Sequence, residues 1–132
     1  MHFNILAVVL ASTALVSAHW NPAYTIKLYS ENNGKGNMDY YHKKLTGIGG
    51  LSGGPTYCLK CQNHGGNTAG KVRSFNFASH NTSQGTNVQL RFYKEANCAK
   101  IITPSLYGSA FIFDAMPSVL SIAKSHEVCF IT

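Results

Sequence analysis

Acidic side chains are scarce in this chain: five Asp and Glu stand against eleven Lys and Arg in 132 residues, for a formal net charge of +6. A calcium cage draws on about six to eight oxygens, usually with several carboxylates, so no calcium site is expected. The cationic excess instead favours polyanions, anionic lipid or acidic cell-wall polymers as partners. Long apolar runs are also missing. The run Ile5 to Val16 is too short to cross a bilayer, and nothing after it approaches the roughly 18 to 20 residues of a spanning helix. Helical stripes are absent as well, since no window repeats apolar residues at the helical period.

What the chain does contain begins with an export signal. Ile5 to Val16 ends in Val16-Ser17-Ala18, with small residues where signal peptidase requires them, although the preceding segment has no Lys or Arg. Residues 1–18 are therefore expected to be a signal peptide cut between Ala18 and His19, leaving 19–132 as one secreted, extracellular domain with no transmembrane segment. In an oxidising compartment thiols pair, so Cys58, Cys61, Cys98 and Cys129 are expected to form two disulfides. A Cys58–Cys61 bridge would close a very small ring, and on a strand the two side chains would point to opposite faces. The favoured pairing joins each of them to one of Cys98 and Cys129, in either order.

Short β-branched and aromatic runs separated by Gly, Asn, Ser and Pro clusters predict strands. They fall near Ala23–Tyr29, Met38–His42, Tyr57–Gln62, Val72–Ser79, Val88–Tyr93, Lys100–Thr103, Ala110–Phe113, Val119–Lys124 and Val128–Ile131. Leu45–Pro55, His64–Gly70 and Asn81–Asn87 are expected to be loops. Many short strands in one small domain predict an all-β, two-sheet sandwich.

Two segments echo each other. Ile26-Lys27-Leu28-Tyr29-Ser30-Glu31-Asn32-Asn33 matches Leu90-Arg91-Phe92-Tyr93-Lys94-Glu95-Ala96-Asn97 at an offset of 64, and Val72-Arg73-Ser74-Phe75 resembles Val119-Leu120-Ser121-Ile122. A doubled segment implies one β unit used twice. Tyr29, Glu31, Gly36 and Ser74, then Tyr93, Glu95 and Ser121, resemble the pattern of βγ-crystallin-like domains. In that family a Greek-key unit opens on an aromatic strand, an acidic turn and a glycine, and closes on a strand with a fixed serine. Lys100 stands where the second glycine belongs, and Gly34 and Cys98 occupy a turn position usually aromatic. The resemblance implies a disulfide-stapled sandwich of two Greek-key units, as in small secreted fungal proteins. Microbial members often bind calcium, but the segments here at 69–74 and 116–121 lack the carboxylates and paired hydroxyls.

Several patterns bear on chemistry. Gly50-Leu51-Ser52-Gly53-Gly54 matches a nucleophile elbow without the flanking strand and helix that chemistry needs. Cys58-Leu59-Lys60-Cys61 matches a redox or zinc motif, but disulfide formation would consume its thiolates. A terminal His19 with a second histidine resembles the copper brace of polysaccharide monooxygenases, in chains usually much longer. Tyr40-Tyr41-His42-Lys43 resembles a segment of small secreted ribonucleases, in which His42, Glu95, Arg91 and His126 would supply base, acid and phosphate-binding roles. The proximity of Arg91 and Glu95 across a turn would more naturally make a surface ion pair, which contributes little.

Tyr40, Tyr41, His42, Lys43 and Lys44 form the densest aromatic and basic cluster and are the candidate binding residues, for stacking on sugars or bases with cationic support. The competing expectation is a strand with one face in the core. Asn81-Thr82-Ser83 is an acceptor for N-glycosylation at Asn81. The function expected is that of a non-catalytic binding, toxin-like or effector-like protein, monomeric and without cofactor or metal. Its target would be a cell surface, a cell-wall polysaccharide or a host protein. A secreted ribonuclease acting on nucleic acid and a structural protein of the secreted matrix are the alternatives.

Overall fold

The computed structural model describes residues 22–44, 56–80, 82 and 86–131. Among the described residues nine strands make two antiparallel sheets. They are β1 (Ala23–Glu31), β2 (Lys35–Lys44), β3 (Thr56–Cys58), β4 (Gln62–Asn63), β5 (Ser74–His80), β6 (Asn87–Glu95), β7 (Ala99–Tyr107), β8 (Ala110–Phe113) and β9 (Ser125–Ile131). The first sheet has the order β2-β1-β5-β8; the second has β3-β9-β6-β7, with β4 also paired to β9.

In each half the fourth strand returns beside the first, as in a Greek key. β5 lies on β1 and β9 lies on β6, while the third-position strand crosses over: β8 completes the first sheet, and β3 and β4 complete the second. The all-β, two-sheet sandwich expected from the sequence is the observed fold.

Alternation places the core between the sheets. Tyr24, Ile26 and Leu28 on β1, Phe75 and Phe77 on β5, Val88, Leu90 and Phe92 on β6, and Val128 and Phe130 on β9 are all buried. Burying a large apolar side chain contributes on the order of 1.5 to 3 kcal/mol. Pro104 has no N–H to donate, and it sits in β7, at the edge of its sheet, where the ladder can spare one.

The repeat is visible atom by atom. After β1 and after β6 the chain makes a single 3-10 turn, with Asn33 and Asn97 in the left-handed region at φ 59° and 62°. Asparagine tolerates that conformation better than most residues. Arg73 N–H donates to the Tyr29 carbonyl and Lys124 N–H to the Tyr93 carbonyl. Ser74 Oγ donates to the Glu31 carbonyl (2.6 Å) and accepts from Gly34 N–H (3.0 Å); Ser125 Oγ donates to the Glu95 carbonyl (2.6 Å) and accepts from Cys98 N–H (3.0 Å).

The second turn serine is thus Ser125, and the assignment of Ser121 is corrected. Ser121 ends a one-turn helix, α1 (Ser118–Ser121), where its hydroxyl caps the Ser118 carbonyl. The strand expected over Val119–Lys124 does not form. The Pro117 carbonyl accepts from both Leu120 N–H and Ser121 N–H, closing a helical turn that buries Leu120 and Ala123. The strand expected over Tyr57–Gln62 is interrupted at 59–61.

The disulfides are Cys58–Cys129 and Cys61–Cys98. The first joins directly opposed residues of β3 and β9; the second ties the break before β4 to the second turn. Among the described residues no helix is long and apolar enough to cross a membrane. The signal peptide, His19, the 50–54 motif and Asn81 lie outside the described residues.

Candidate functional site

The five-residue cluster of β2 does not stay together. Tyr40, His42 and Lys44 are exposed, whereas Tyr41 and Lys43 alternate toward the interior and are partly covered. Tyr41 packs edge-on against His126 at 5.1 Å between ring centroids, and its hydroxyl donates to the Asn63 carbonyl (2.9 Å) and accepts from Gly65 N–H (3.0 Å). It is a packing residue, as the period of a strand requires.

Strand register then gathers residues on the outer face that sequence reading did not connect. Tyr40 lies opposite Lys27, Lys27 opposite Asn76, and Asn76 opposite Ile112, so one row crosses all four strands of the first sheet. Tyr40 is 52 % exposed and Ile112 74 %. The next row is His42, Thr25, Ala78 and Ala110, with small side chains over β1, β5 and β8. A shallow groove of about 310 Å³ lies there, lined by Thr25, Lys27, Asn76, Ala78, Ala110 and Ile112 together with Phe77 and Phe111. His80 closes toward the row through a 3.3 Å contact with the Thr25 hydroxyl. The face thus offers an aromatic ring, cations, an amide and an aliphatic side chain along a flat trough.

The outer face of the second sheet is different. Tyr107, Gln89, Arg91, Glu127 and Tyr93 form one hydrogen-bonded chain: Gln89 Nε2 donates to the Tyr107 hydroxyl (2.9 Å), Arg91 Nε to Gln89 Oε1 (2.9 Å), and Arg91 Nη1 (3.3 Å) and the Tyr93 hydroxyl (2.9 Å) both to Glu127 Oε1. Burial, with the Glu127 carboxylate beside it, pushes the Tyr93 phenol up. These groups satisfy one another. The two faces therefore differ in how much of their polarity is already committed.

The residues of the ribonuclease reading are dispersed. His42 is on the outer face of the first sheet, Arg91 is on the outer face of the second, and Glu95 is exposed at the second turn. His126 is fully buried. Arg91 pairs with Glu127 at 3.3 Å, and Glu95 pairs with Lys100 at 3.6 Å. This corrects the Arg91–Glu95 pairing: residues four apart on a strand point the same way but lie far along it, while Glu127 is the cross-strand partner of Arg91. Both disulfides consume the sulfurs of the C-x-x-C motif, so neither these cysteines nor Glu127 beside Cys129 form a metal-ligand set.

A polar cluster lies within the sandwich. Tyr24 OH is 3.0 Å from His126 Nε2, His126 Nδ1 is 3.0 Å from His64 Nε2, and His64 Nδ1 is 3.2 Å from the Ala123 carbonyl. The carbonyl can only accept, so the hydrogen-bond pattern assigns the proton of His64 to Nδ1, that of His126 to Nδ1, and leaves Tyr24 as donor. Burial is the main cause of every shift here. It lowers His64 from its usual 6.5 to about 4, pushes His126 well below its usual range with help from the nearby His64 and Lys43 charges, and raises the phenols of Tyr24 and Tyr41. The sequence reading places His64 in a loop, as a candidate metal ligand, and does not pair it with His126. Its partner lies 62 positions away, and nothing local signals the pairing.

No protein-family model, no curated protein and no solved structure matches the chain.

Proposed function

We propose that this chain is a secreted binding protein, βγ-crystallin-like in its doubled turn-and-serine units, that engages a cell-wall polysaccharide through the outer face of its first sheet. A toxin-like or effector-like role at a cell surface follows from such binding. The observation that carries the reading is the row Tyr40, Lys27, Asn76 and Ile112 beside a groove floored by Thr25, Ala78 and Ala110. A tyrosine ring stacks on a sugar face, while an amide and an ammonium satisfy hydroxyls or uronate carboxylates. All Lys, Arg, Asp and Glu lie among the described residues, and only two of the eleven cations make ion pairs there. Unpaired cations raise the encounter rate with an anionic polymer, and the ring supplies contact at short range.

The test is retention of the mature, disulfide-intact protein on insoluble cell-wall polysaccharide at about 0.05 M and about 1 M salt, a range that screens exposed charges. Retention at both is the expected result, with Tyr40→Ala weakening it by at least about tenfold, or about 1.4 kcal/mol. The thermal midpoint should stay unchanged. Retention only at low salt and indifferent to Tyr40→Ala would reduce the reading to nonspecific cationic adhesion. No retention at either would overturn it.

A further inference from the structure

The buried pair His64 and His126 has no place in a surface binding face, yet it joins three separate parts of the fold. His126 comes from β9 in the second sheet, Tyr24 from β1 in the first, and His64 from the connection between β4 and β5. That connection together with β4, residues 62–72, buries Val72 in the core and is otherwise held to the sandwich by hydrogen bonds. His64 N–H donates to the Lys124 carbonyl (2.9 Å), Gly70 N–H to the Ala123 carbonyl (2.9 Å) and Val72 N–H to the Ser121 carbonyl (3.1 Å). On the other side Tyr41 holds Asn63 and Gly65, and the Asp39 carboxylate accepts from Asn67 Nδ2 (3.2 Å) and Thr68 Oγ1 (2.5 Å). We propose that His64, His126 and Tyr24 form an acid-sensitive latch, which fastens the 62–72 connection to both sheets while the rings are neutral and releases it when either ring gains a proton.

The geometry makes the neutral form specific. Each ring has one protonated and one bare nitrogen, and each bare nitrogen is already an acceptor. A proton added at His64 Nε2 sets N–H against the N–H of His126. A proton added at His126 Nε2 lets the Tyr24 oxygen accept instead, but leaves a cation with no exposed surface among Tyr24, Tyr41 and Phe92. An isolated buried charge is costly unless it is paired. The groups facing the pair are Tyr24 from β1, with Asp39, Tyr41 and Lys43 from β2; Phe92, from β6, is uncharged. Asp39 attracts a charge on His64, but its carboxylate is held by Asn67 and Thr68, and Lys43 repels a charge on His126.

The sign follows from linkage. A histidine whose folded form resists protonation binds fewer protons folded than unfolded, so its contribution is complete above about 6.5 and is lost as pH falls toward about 4. One such proton raises the opening equilibrium by about tenfold per pH unit within that window, and two raise it by up to about a hundredfold.

The experiment is long-range proton–nitrogen NMR of the imidazoles, with amide exchange, on the disulfide-intact protein between pH 7.5 and 4.5. Both rings are expected as neutral Nδ1–H tautomers at pH 7. Corrected for intrinsic rates, exchange at His64, Gly70 and Val72 should speed up by at least about tenfold per unit below pH 6.5, while Leu28 and Leu90 stay protected. An Nε2–H tautomer in either ring, titration of either ring at 6 or above, or unchanged exchange at pH 4.5 would overturn the latch. So would equal acceleration at Leu28 and Leu90, which would signal global unfolding.

Discussion

The two Greek-key units share a turn and differ in what they bury behind it. In each, a serine hydroxyl bridges a carbonyl and an amide of the turn. The residue after the serine points into the core: Phe75 in the first unit and His126 in the second. Phe75 packs against Phe92 at 5.5 Å and Phe113 at 4.9 Å between centroids, an all-aromatic cluster indifferent to pH. His126 sits among Tyr24, Tyr41 and His64 in a hydrogen-bonded chain. The same backbone device therefore supports a plain core in one half and a titratable one in the other. What the repeat conserves is its turn, and what diverges is the side chain that the turn positions.

That contrast is broken most strongly at the two core positions. Phe75→Ala should cost about 3 to 5 kcal/mol, equally at pH 7 and pH 5, in urea unfolding. His126→Phe removes the partners of the Tyr24 hydroxyl and His64 Nε2, so about 1 to 3 kcal/mol is expected at pH 7. Its deficit should shrink as pH falls, because only the parent protein carries the second protonation penalty. Next come the staples. Replacing Cys61 and Cys98 together by alanine should cost about 2 to 5 kcal/mol, and it should loosen the second turn but not the first, which has no disulfide.

Smaller effects sharpen the turn equivalence itself. Ser74→Ala and Ser125→Ala should each lose about 1 to 3 kcal/mol, while Ser121→Ala stays within about 0.5 kcal/mol. A reversed ranking of Ser121 and Ser125 in thermal melts would undo the structural alignment of the units. The glycine position is a further test of the same equivalence. Gly36 has φ +81°, and an added Cβ would lie 2.5 Å from Ser30 Oγ and 2.8 Å from Glu31 Cγ, so Gly36→Ala should destabilise by at least about 1 kcal/mol. Lys100 adopts φ 59° at the equivalent place and makes an exposed ion pair with Glu95. Such a pair contributes little, so Lys100→Gly should be neutral or stabilising by up to about 1 kcal/mol.

Much of this architecture could be read from the chain, and the reasons differ by element. Strands such as Val88-Gln89-Leu90-Arg91-Phe92 announce themselves because one face is core and the other is not. The first halves of the units align because their turns have equal length. The second serine was misplaced because Tyr29 to Ser74 spans 45 positions and Tyr93 to Ser125 only 32, so no constant offset finds both. Val119-Leu120-Ser121-Ile122 mimics the Ser74 strand in composition, but Pro117 turns it into a helix. On the outer face of the first sheet, alternation along β2 already separates Tyr40 and His42 from Tyr41. The partners Lys27, Asn76 and Ile112 come only from cross-strand register, which no single segment encodes. The histidine pair is a meeting of distant segments and leaves no local trace.

The crossing of the third strands has a consequence for how the molecule can come apart. With β8 in the first sheet and β3 and β4 in the second, either half alone would leave its partner's sheet short of an edge and carry an unpaired strand of its own. Unfolding that begins in one half must strip the other, so a single cooperative transition is expected despite the duplicated plan. Chain halves produced separately should be recovered as a reassembled pair or not at all.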